Sequence, residues 1–180
     1  MVEDELLAVR CQLGEPAAFD ALVARWHGPL WNYIRRLLRD DEVASEVCQD
    51  VWIRVIRGIG RLRDAARLRP WLFGIARRAV MDRLRERYAS MPEVDTDLTA
   101  IAAADLDAGD DPEADSRTLH EELERLPMVE RDVLVLFYLR ELSLQDLSDV
   151  LAVPIGTVKS RLHRARRLLR ERLHARGVTP

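Results

Sequence analysis

The chain has 180 residues, of which 48% are hydrophobic and 33% are charged, a composition typical of soluble globular proteins. Its 28 basic and 31 acidic residues leave a formal net charge of −3, which does not exclude a nucleic-acid partner. The longest apolar run, Val133 to Leu139, is too short to cross a bilayer, and the acidic N-terminus has no signal-peptide core, so we expect a cytoplasmic protein.

The N-terminal segment has the apolar spacing of two successive helices. A short amphipathic helix is predicted over residues 3–13, and a longer one follows the Gly14-Glu15-Pro16 interruption and extends to Leu38. Pro29 lies inside the longer pattern. We expect it to kink or locally break that helix, because proline lacks the backbone N–H that a helix interior uses.

A third helical pattern extends from Val43 to Ile56, after a predicted capping residue, Asp41. Ile56 belongs to the apolar positions of this pattern, which we assign to the core. The opposite face carries polar side chains, among them Glu46, Gln49 and Asp50. In an isolated domain such a face is an ordinary solvated surface.

A loop rich in Gly and Arg, residues 58–70, precedes a fourth predicted helix that starts near Trp71. A cationic helix beside a basic loop suits single-stranded DNA, because arginines hold the backbone and aromatic surfaces accept unstacked bases. For Trp71 and Phe73 the alternative is burial in the core, which we favour for Trp71. The candidate contacts to a single strand are Arg61, Arg63, Arg77, Arg78 and Arg85.

Residues 91–117 are rich in Asp and Ala and show no helical periodicity, so we interpret them as a flexible acidic linker. The charge along the chain is segregated around this linker. Arg54–Arg87 has a net charge of +8 and Lys159–Arg176 has +7, whereas Glu93–Glu124 has −11. Two basic blocks separated by an acidic one predict two nucleic-acid contacts, joined by a segment that repels the same polymer.

The stretch from Leu142 to Leu173 has the pattern of a helix, a tight turn and a second helix. Ser143 and Asp146 have the spacing of a capping box, and Pro154 ends the interruption that follows the first helix. The second helix has a cationic face whose side chains suit guanine edges and phosphates, although a solvated cationic helix is the plain alternative. The candidates are Thr157, Lys159, Ser160, Arg161, His163, Arg164 and Arg167.

Three segments resemble one bacterial family, in the same order along the chain. DDEVASEVCQDVWIRV, WLFGIARRAVMDRLRERY and GTVKSRLHRAR resemble the RNA polymerase sigma factors of the extracytoplasmic-function (ECF) branch of the sigma-70 superfamily. The resemblance covers about Glu15 to Arg172. It implies an all-α protein with two small helical domains, sigma region 2 in residues 1–90 and sigma region 4 in residues 118–180, joined by the acidic linker.

The resemblance also implies partners. The third helix of this family docks on the clamp helices of the polymerase beta-prime subunit, so Glu46, Gln49 and Asp50 become candidate polymerase contacts, and the beta flap is a second docking element. The following loop and helix capture a base of the melted downstream promoter element. Arg78 stands where many relatives have Asn, and because Arg offers only donors, we expect base selection to differ.

The second helix of the helix-turn-helix is implied to read the upstream, minus-thirty-five duplex element. Arg161 and Arg164 are the first candidates for base contacts, with Thr157 assigned to a phosphate. An anti-sigma factor is the implied regulator, and we expect the protein to associate with the nucleoid when it is bound to polymerase.

Two other classes of function are less compatible with the sequence. Its four histidines form no zinc-hydrolase pair and it has no phosphate-binding glycine loop, so we expect no enzyme activity, cofactor or metal. Cys11 and Cys48 are far apart and are expected to be free thiols. A helix-turn-helix repressor or activator remains the alternative. It would act as a dimer, whereas a sigma factor acts as one copy per polymerase.

Overall fold

The computed structural model describes residues 2–89 and 112–177, which form helices and connecting segments without a β-strand. These residues divide into two compact units, an N-terminal unit formed mainly by the first four α-helices and a C-terminal unit formed mainly by the last four. The all-α prediction is confirmed. None of the described helices combines the length and the apolar character that a membrane crossing requires.

The N-terminal unit contains α1 (Val2–Gln12), α2 (Pro16–Leu38), α3 (Asp41–Gly58) and α4 (Leu68–Ala89). Two short 3-10 turns, Ile59–Arg61 and Ala65–Arg67, connect α3 to α4.

An aromatic cluster fixes α4 against α2 in the core of this unit. The ring of Phe73 packs edge-to-face against Tyr33 and Trp26, with centroid distances of 5.4 and 6.1 Å. All three side chains are buried. Each such aromatic pair contributes about 0.5–1.5 kcal/mol to stability beyond the effect of the area that it buries. The two pairs therefore stabilise the packing of α4 against α2.

α2 continues through Pro29 without interruption. The side chains of Trp26, Leu30 and Tyr33, on both sides of the proline, are buried on one face of the helix. Pro29 removes one intrahelical hydrogen bond, but the packing of that face keeps the two halves in a single helix. The predicted local break is therefore wrong, whereas the alternative, a kink at Pro29, stays a prediction.

The N-terminus of α3 is capped by Asp40, not by Asp41 as predicted. The Asp40 carboxylate accepts hydrogen bonds from the amides of Glu42 and Val43, both at 3.1 Å. Asp41 instead pairs with Arg35, with 2.7 Å between Oδ1 and Nε. Either aspartate is a good cap, and apolar spacing does not decide between neighbouring positions.

The C-terminal unit contains α5 (Pro112–Glu124), α6 (Met128–Leu134), α7 (Leu144–Leu151) and α8 (Ile155–Ala175), and α6 continues into a π-helical turn, Val135–Leu139. Its core lies between α6 and α8, where Val133, Leu162 and Ala165 are buried. Because α8 is fixed along its apolar side, its opposite side faces solvent.

α5 begins inside the predicted linker. Residues 112–117 are helical, so the C-terminal helices start six residues earlier than periodicity indicated. The rest of the predicted linker lies outside the described residues. The domain boundaries at residues 90 and 118 stay predictions.

Candidate nucleic-acid and polymerase interfaces

The start of α7 is fixed by a reciprocal capping box, as the sequence predicts. The Asp146 amide donates to Ser143 Oγ at 3.1 Å, and the Ser143 amide donates to Asp146 Oδ2 at 3.2 Å. The Ser143 hydroxyl also donates to Asp146 Oδ2 at 2.7 Å. These bonds satisfy two backbone donors that a helix N-terminus leaves free, and they determine where α7 begins.

The turn between α7 and α8 is closed by a Schellman-type arrangement. Ala152 has a φ of 53°, in the left-handed region, and the Val153 amide donates to the Ser148 carbonyl at 3.1 Å. The Ser148 hydroxyl donates to the Val153 carbonyl at 2.6 Å. α8 restarts after Pro154, so side-chain and backbone bonds together set the direction in which α8 leaves the turn.

α8 has a buried face and an accessible cationic face. Val158, Leu162 and Ala165 are buried at steps of four and three residues. All seven predicted DNA contacts keep accessible surface on this one helix. The exposed ones are Lys159, Ser160, His163, Arg164 and Arg167, and the half-buried ones are Thr157 and Arg161.

Some of these side chains already have partners within α8. The Ser160 hydroxyl donates to the Thr157 carbonyl at 3.0 Å, so in this conformation Ser160 offers an acceptor outward and not a donor. Arg167 lies beside Glu171, with 3.7 Å between Nε and Oε1.

Arg164 has a partner outside α8, whereas other cations of the surface do not. Its Nε lies 3.1 Å from Oε1 of the buried Glu130 on α6. Lys159 and Arg161 form no ion pair with another described residue. Their donors are therefore available to a ligand.

The predicted contacts to a single strand lie on α4 and on the segment before it. Arg78 and Arg85 are seven residues apart, which places them on the same side of α4 as Trp71, whereas Arg77 is rotated by about 100° from Arg78. The two arginines and the indole ring thus share one side of a helix. Arg61, Arg63, Arg78 and Arg85 are exposed, and Arg77 is half-buried.

Trp71 is half-buried, so its predicted place in the core is only partly correct, whereas Phe73 is fully buried. The indole ring covers Gly58 at the end of α3, where an added Cβ would lie 3.1 Å from Cζ2 of the ring. Glycine therefore permits this close approach. Part of the indole remains accessible beside the arginines of α4.

Arg85 is held by an exposed ion pair with Asp82, at 2.6 Å between Nη2 and Oδ1, and its side chain is 74% exposed. Exposed pairs of this kind contribute at most about 1 kcal/mol. A phosphate can replace the carboxylate at little cost in stability.

An exposed row on α3 combines one polar and two apolar side chains. Gln49, Ile53 and Ile56 follow each other at steps of four and three, opposite the buried Val51 and Val55. Ile53 is 47% exposed and Ile56 is 56% exposed. The predicted core position of Ile56 is therefore wrong. Sequence reasoning missed both isoleucines as candidate contacts, although their spacing from Gln49 was the available signal.

Glu46 and Asp50 are engaged with arginines between α3 and α4. Arg83 Nη2 lies 2.6 Å from Glu46 Oε2, and Arg54 bridges Asp50 at 2.7 Å and Asp82 at 2.9 Å. The hydrogen bond that Arg54 donates to Asp82 is the main cause that raises the pKa of Arg54, and the bond that it donates to Asp50 adds to this effect. The Glu46–Arg83 and Arg54–Asp82 pairs thus connect α3 to α4, and Asp50 holds Arg54 within α3. Both acids of α3 border the exposed row.

Comparison with known proteins matches both units to one family. The family model described as Sigma-70 region 2 matches residues 22–89, and the model described as Sigma-70, region 4 matches residues 116–169. The RNA polymerase sigma-H factor of Pseudomonas aeruginosa is 32% identical over 177 residues, which cover 91% of this chain and 90% of that protein. This chain belongs to the ECF group of sigma-70 factors.

Other relatives support the assignment of this chain to the ECF sigma factors. The ECF RNA polymerase sigma factor SigM of Mycobacterium tuberculosis is 34% identical over 164 residues, covering 90% of this chain and 80% of that protein. Among solved structures, the sigma factor RpoE in complex with the anti-sigma factor NepR from Bartonella quintana aligns with a TM-score of 0.66. That alignment has 23% identity and covers 87% of this chain and 96% of the other, and it shows the shared fold.

The region 4 unit of this sigma factor also has an apolar groove, which sequence analysis did not predict. The groove has a volume of about 430 Å³ between α5, the π-helical turn and α8. Arg166 lies over the rings of Phe137 and Tyr138, at 5.6 and 5.4 Å from their centroids. The lining residues are Leu119, Leu123, Leu134, Tyr138, Leu139, Arg166, Leu169, Arg170 and Leu173.

Both cysteines of the sigma factor are buried and free. Burial is the main cause that raises the pKa of Cys11 and of Cys48 above the ordinary value of 9.0. A raised pKa keeps the thiols protonated and unreactive near neutral pH. The described residues contain no cluster of three or more His, Cys, Asp or Glu side chains able to hold a metal ion.

Proposed function

We propose that this ECF sigma factor binds core RNA polymerase and directs transcription from specific promoters, reading an upstream duplex element and melting a downstream one. The observation that carries the proposal is the collinear match of sigma regions 2 and 4, each on a unit with an accessible surface suited to its role. A dimeric repressor is not favoured, because repression by a dimer would assign no function to the region 2 unit. The sigma factor acts in the cytoplasm, and at the nucleoid when it is bound to polymerase.

The polymerase beta-prime clamp helices dock on α3. The row of Gln49, Ile53 and Ile56 supplies apolar surface, and Glu46 and Asp50 supply acidic charge at its border. Exposed apolar residues surrounded by polar ones are typical of protein interfaces. Because Arg83 and Arg54 already pair with the two acids, they hold the carboxylates in place before polymerase binds.

The beta flap of polymerase occupies the apolar groove of region 4. Leu119, Tyr138 and Leu139 around it are 42%, 53% and 41% exposed. Together they form an apolar surface that can bind one side of a helix or turn of the partner. Arg166 and Arg170 give it a basic rim. We assign the groove an apolar partner segment with acidic flanks.

The downstream element is held by α4 and the segment before it. Arg61, Arg63, Arg77 and Arg85 bind the backbone of the melted strand, and the accessible part of Trp71 provides a stacking surface for one base. Arg78 donates to the base that is read. Because arginine lacks an acceptor, the preferred base presents acceptors on its edge.

The upstream element is read by α8 in the major groove. Arg161 and Arg164 contact base edges, together with Lys159, Ser160 and His163, and Thr157 and Arg167 contact phosphates. The capping box of α7 and the turn at Ala152 orient the helix for this contact.

An anti-sigma factor regulates the protein by covering its polymerase-binding surfaces. The related sigma factor from Bartonella quintana was solved in complex with an anti-sigma factor, and its fold is shared. The exposed row on α3 and the groove of region 4 are the surfaces whose occupation excludes polymerase.

Stoichiometry in solution separates the proposal from the repressor. The purified chain is mixed with bacterial core polymerase and analysed by size-exclusion chromatography with light scattering, with and without duplex DNA. We expect one copy of the chain to co-elute with each polymerase and the free chain to be a monomer. A free dimer that binds duplex DNA and does not co-elute with polymerase contradicts the proposed function.

A further inference from the structure

The pairing of Arg164 with Glu130 links a DNA-facing side chain to the core of the C-terminal unit. Glu130 lies on α6 and its side chain is only 4% exposed, whereas the Arg164 side chain is 59% exposed. Their Nε and Oε1 atoms are 3.1 Å apart. The carboxylate is thus fixed inside the unit, and the arginine extends from it toward solvent.

The contact uses one particular edge of the guanidinium group. Nε is the donor nearest the backbone, so pairing at Nε leaves the two terminal amino groups, Nη1 and Nη2, at the outer end. No other partner of Arg164 exists among the described residues. Two parallel donors presented end-on match the O6 and N7 acceptors of guanine, the commonest specific contact in the major groove.

We infer that Glu130 is a positioning residue for upstream-element recognition, which holds Arg164 in an end-on orientation and so selects guanine at one base pair. This inference rests on the proposed function, since it assumes that Arg164 contacts DNA. Glu130 itself touches no base. It holds the long side chain of Arg164 in one orientation before DNA binds. The side chain therefore loses less conformational entropy when it contacts a base.

The burial of Glu130 argues against a role in stability alone. Its second oxygen, Oε2, is buried and has no hydrogen-bond partner among the described residues. A buried carboxylate with one unpaired oxygen lowers the stability of the folded protein. Replacing such a group by a well-packed apolar side chain of similar size often leaves the stability unchanged or raises it. Stability alone therefore does not explain a glutamate at this position.

Glu122 on α5 offers the matched control in the same unit. It is equally buried, at 3% side-chain exposure, but three arginines surround its carboxylate. Arg125 Nη1 and Arg176 Nε lie 2.9 and 3.2 Å from Oε1, and Arg172 Nη1 lies 3.6 Å from Oε2. None of these arginines belongs to the proposed DNA contacts, so Glu122 has only a structural role.

The test uses the full chain in complex with core polymerase, transcribing a promoter library randomised over the upstream element. Starts are counted for the wild type, Glu130→Met, Glu122→Met, Arg164→Ala and the Glu130→Met/Arg164→Ala double variant, and the melting temperature of each chain is measured.

We expect Arg164→Ala to reduce guanine preference at one base pair about tenfold, within the range for a bidentate contact. Glu130→Met is expected to reduce preference at the same base pair about fivefold, with no further loss in the double variant, and to keep the wild-type melting temperature. Glu122→Met is expected to lower the melting temperature and leave the preference unchanged.

Two results overturn the inference in distinguishable ways. If Arg164→Ala loses the preference and Glu130→Met keeps it, or if Glu130→Met lowers the melting temperature as much as Glu122→Met, Glu130 is structural and the proposed function stands. If Arg164→Ala changes no base preference, the proposed contact of Arg164 falls together with the inference.

Discussion

At the scale of single residues, exposure separates functional side chains from core ones more sharply than residue type does. Ile56 and Val55 are neighbours on α3, yet Ile56 is 56% exposed and Val55 is fully buried. α3 already packs against the core through the side that carries Val55. The exposed Ile56 side chain therefore has no role in that core. The proposed docking of polymerase on α3 accounts for this exposed side chain.

Ile56→Glu tests this assignment. We expect the affinity for core polymerase to fall at least tenfold, because a charge in the centre of a docking surface loses its hydration without a partner. The melting temperature should not change, since the side chain is exposed in the free chain. The control is Val23→Glu on α2, a 37% exposed valine outside the proposed surfaces. Equal effects of both variants on polymerase binding contradict the assignment.

The two buried thiols predict a dependence of stability on alkaline pH. Because burial raises the pKa of Cys11 and Cys48 in the folded chain, stability is fully present below the ordinary thiol pKa of 9.0 and falls as the pH rises above it. We expect the melting temperature to decrease more steeply between pH 9 and pH 10.5 than in the Cys11→Ala/Cys48→Ala variant. Parallel curves contradict this explanation, since all other titrating groups are common to both proteins.

At the scale of elements, capping and turn bonds determine where α7 and α8 start and in which direction α8 extends. Apolar spacing alone gives the faces of α7 and α8, whereas Ser143, Asp146 and the left-handed Ala152 give their ends. The order of helix, turn and helix was therefore predictable, because it is encoded by short-range chemistry.

Ser143→Ala tests the contribution of the capping box. Loss of an N-cap hydroxyl is expected to lower the stability of the C-terminal unit by about 1 kcal/mol. Ser160→Ala is the control, because the Ser160 hydroxyl is exposed and donates to the Thr157 carbonyl of its own helix. Its removal should leave stability unchanged or slightly higher, since alanine favours helices. Chemical denaturation of both variants measures the difference, and equal stabilities contradict the capping role.

The features that the sequence did not predict depend on tertiary packing. Periodicity identified the helices, but it did not show that packing around Pro29 keeps α2 continuous or that the capping aspartate is Asp40. It also did not reveal the partner of Arg164 or the groove of region 4, because Glu130 lies 34 residues before Arg164 and Leu119 lies 36 residues before the start of α8. Contacts between distant segments leave no periodic signal in a single sequence.

At the scale of the whole molecule, the near-neutral net charge conceals two basic blocks. One block lies around α4 in region 2 and the other on α8 in region 4, with net charges of +8 and +7. Either block alone suits a general DNA-binding protein. Their presence in one chain, together with the exposed row on α3, is consistent with the proposed promoter-directed initiation.

Transcription from a genomic fragment library by core polymerase, with and without the purified chain, tests this account most directly. We predict starts that appear only when the chain is present and that are lost in the Arg161→Ala/Arg164→Ala variant. The Arg25→Gln/Arg35→Gln variant, which removes two charges from α2 outside the proposed contacts, should keep them. If the chain yields no new starts although it binds duplex DNA, or if both variants behave alike, the account of a promoter-reading sigma factor is contradicted.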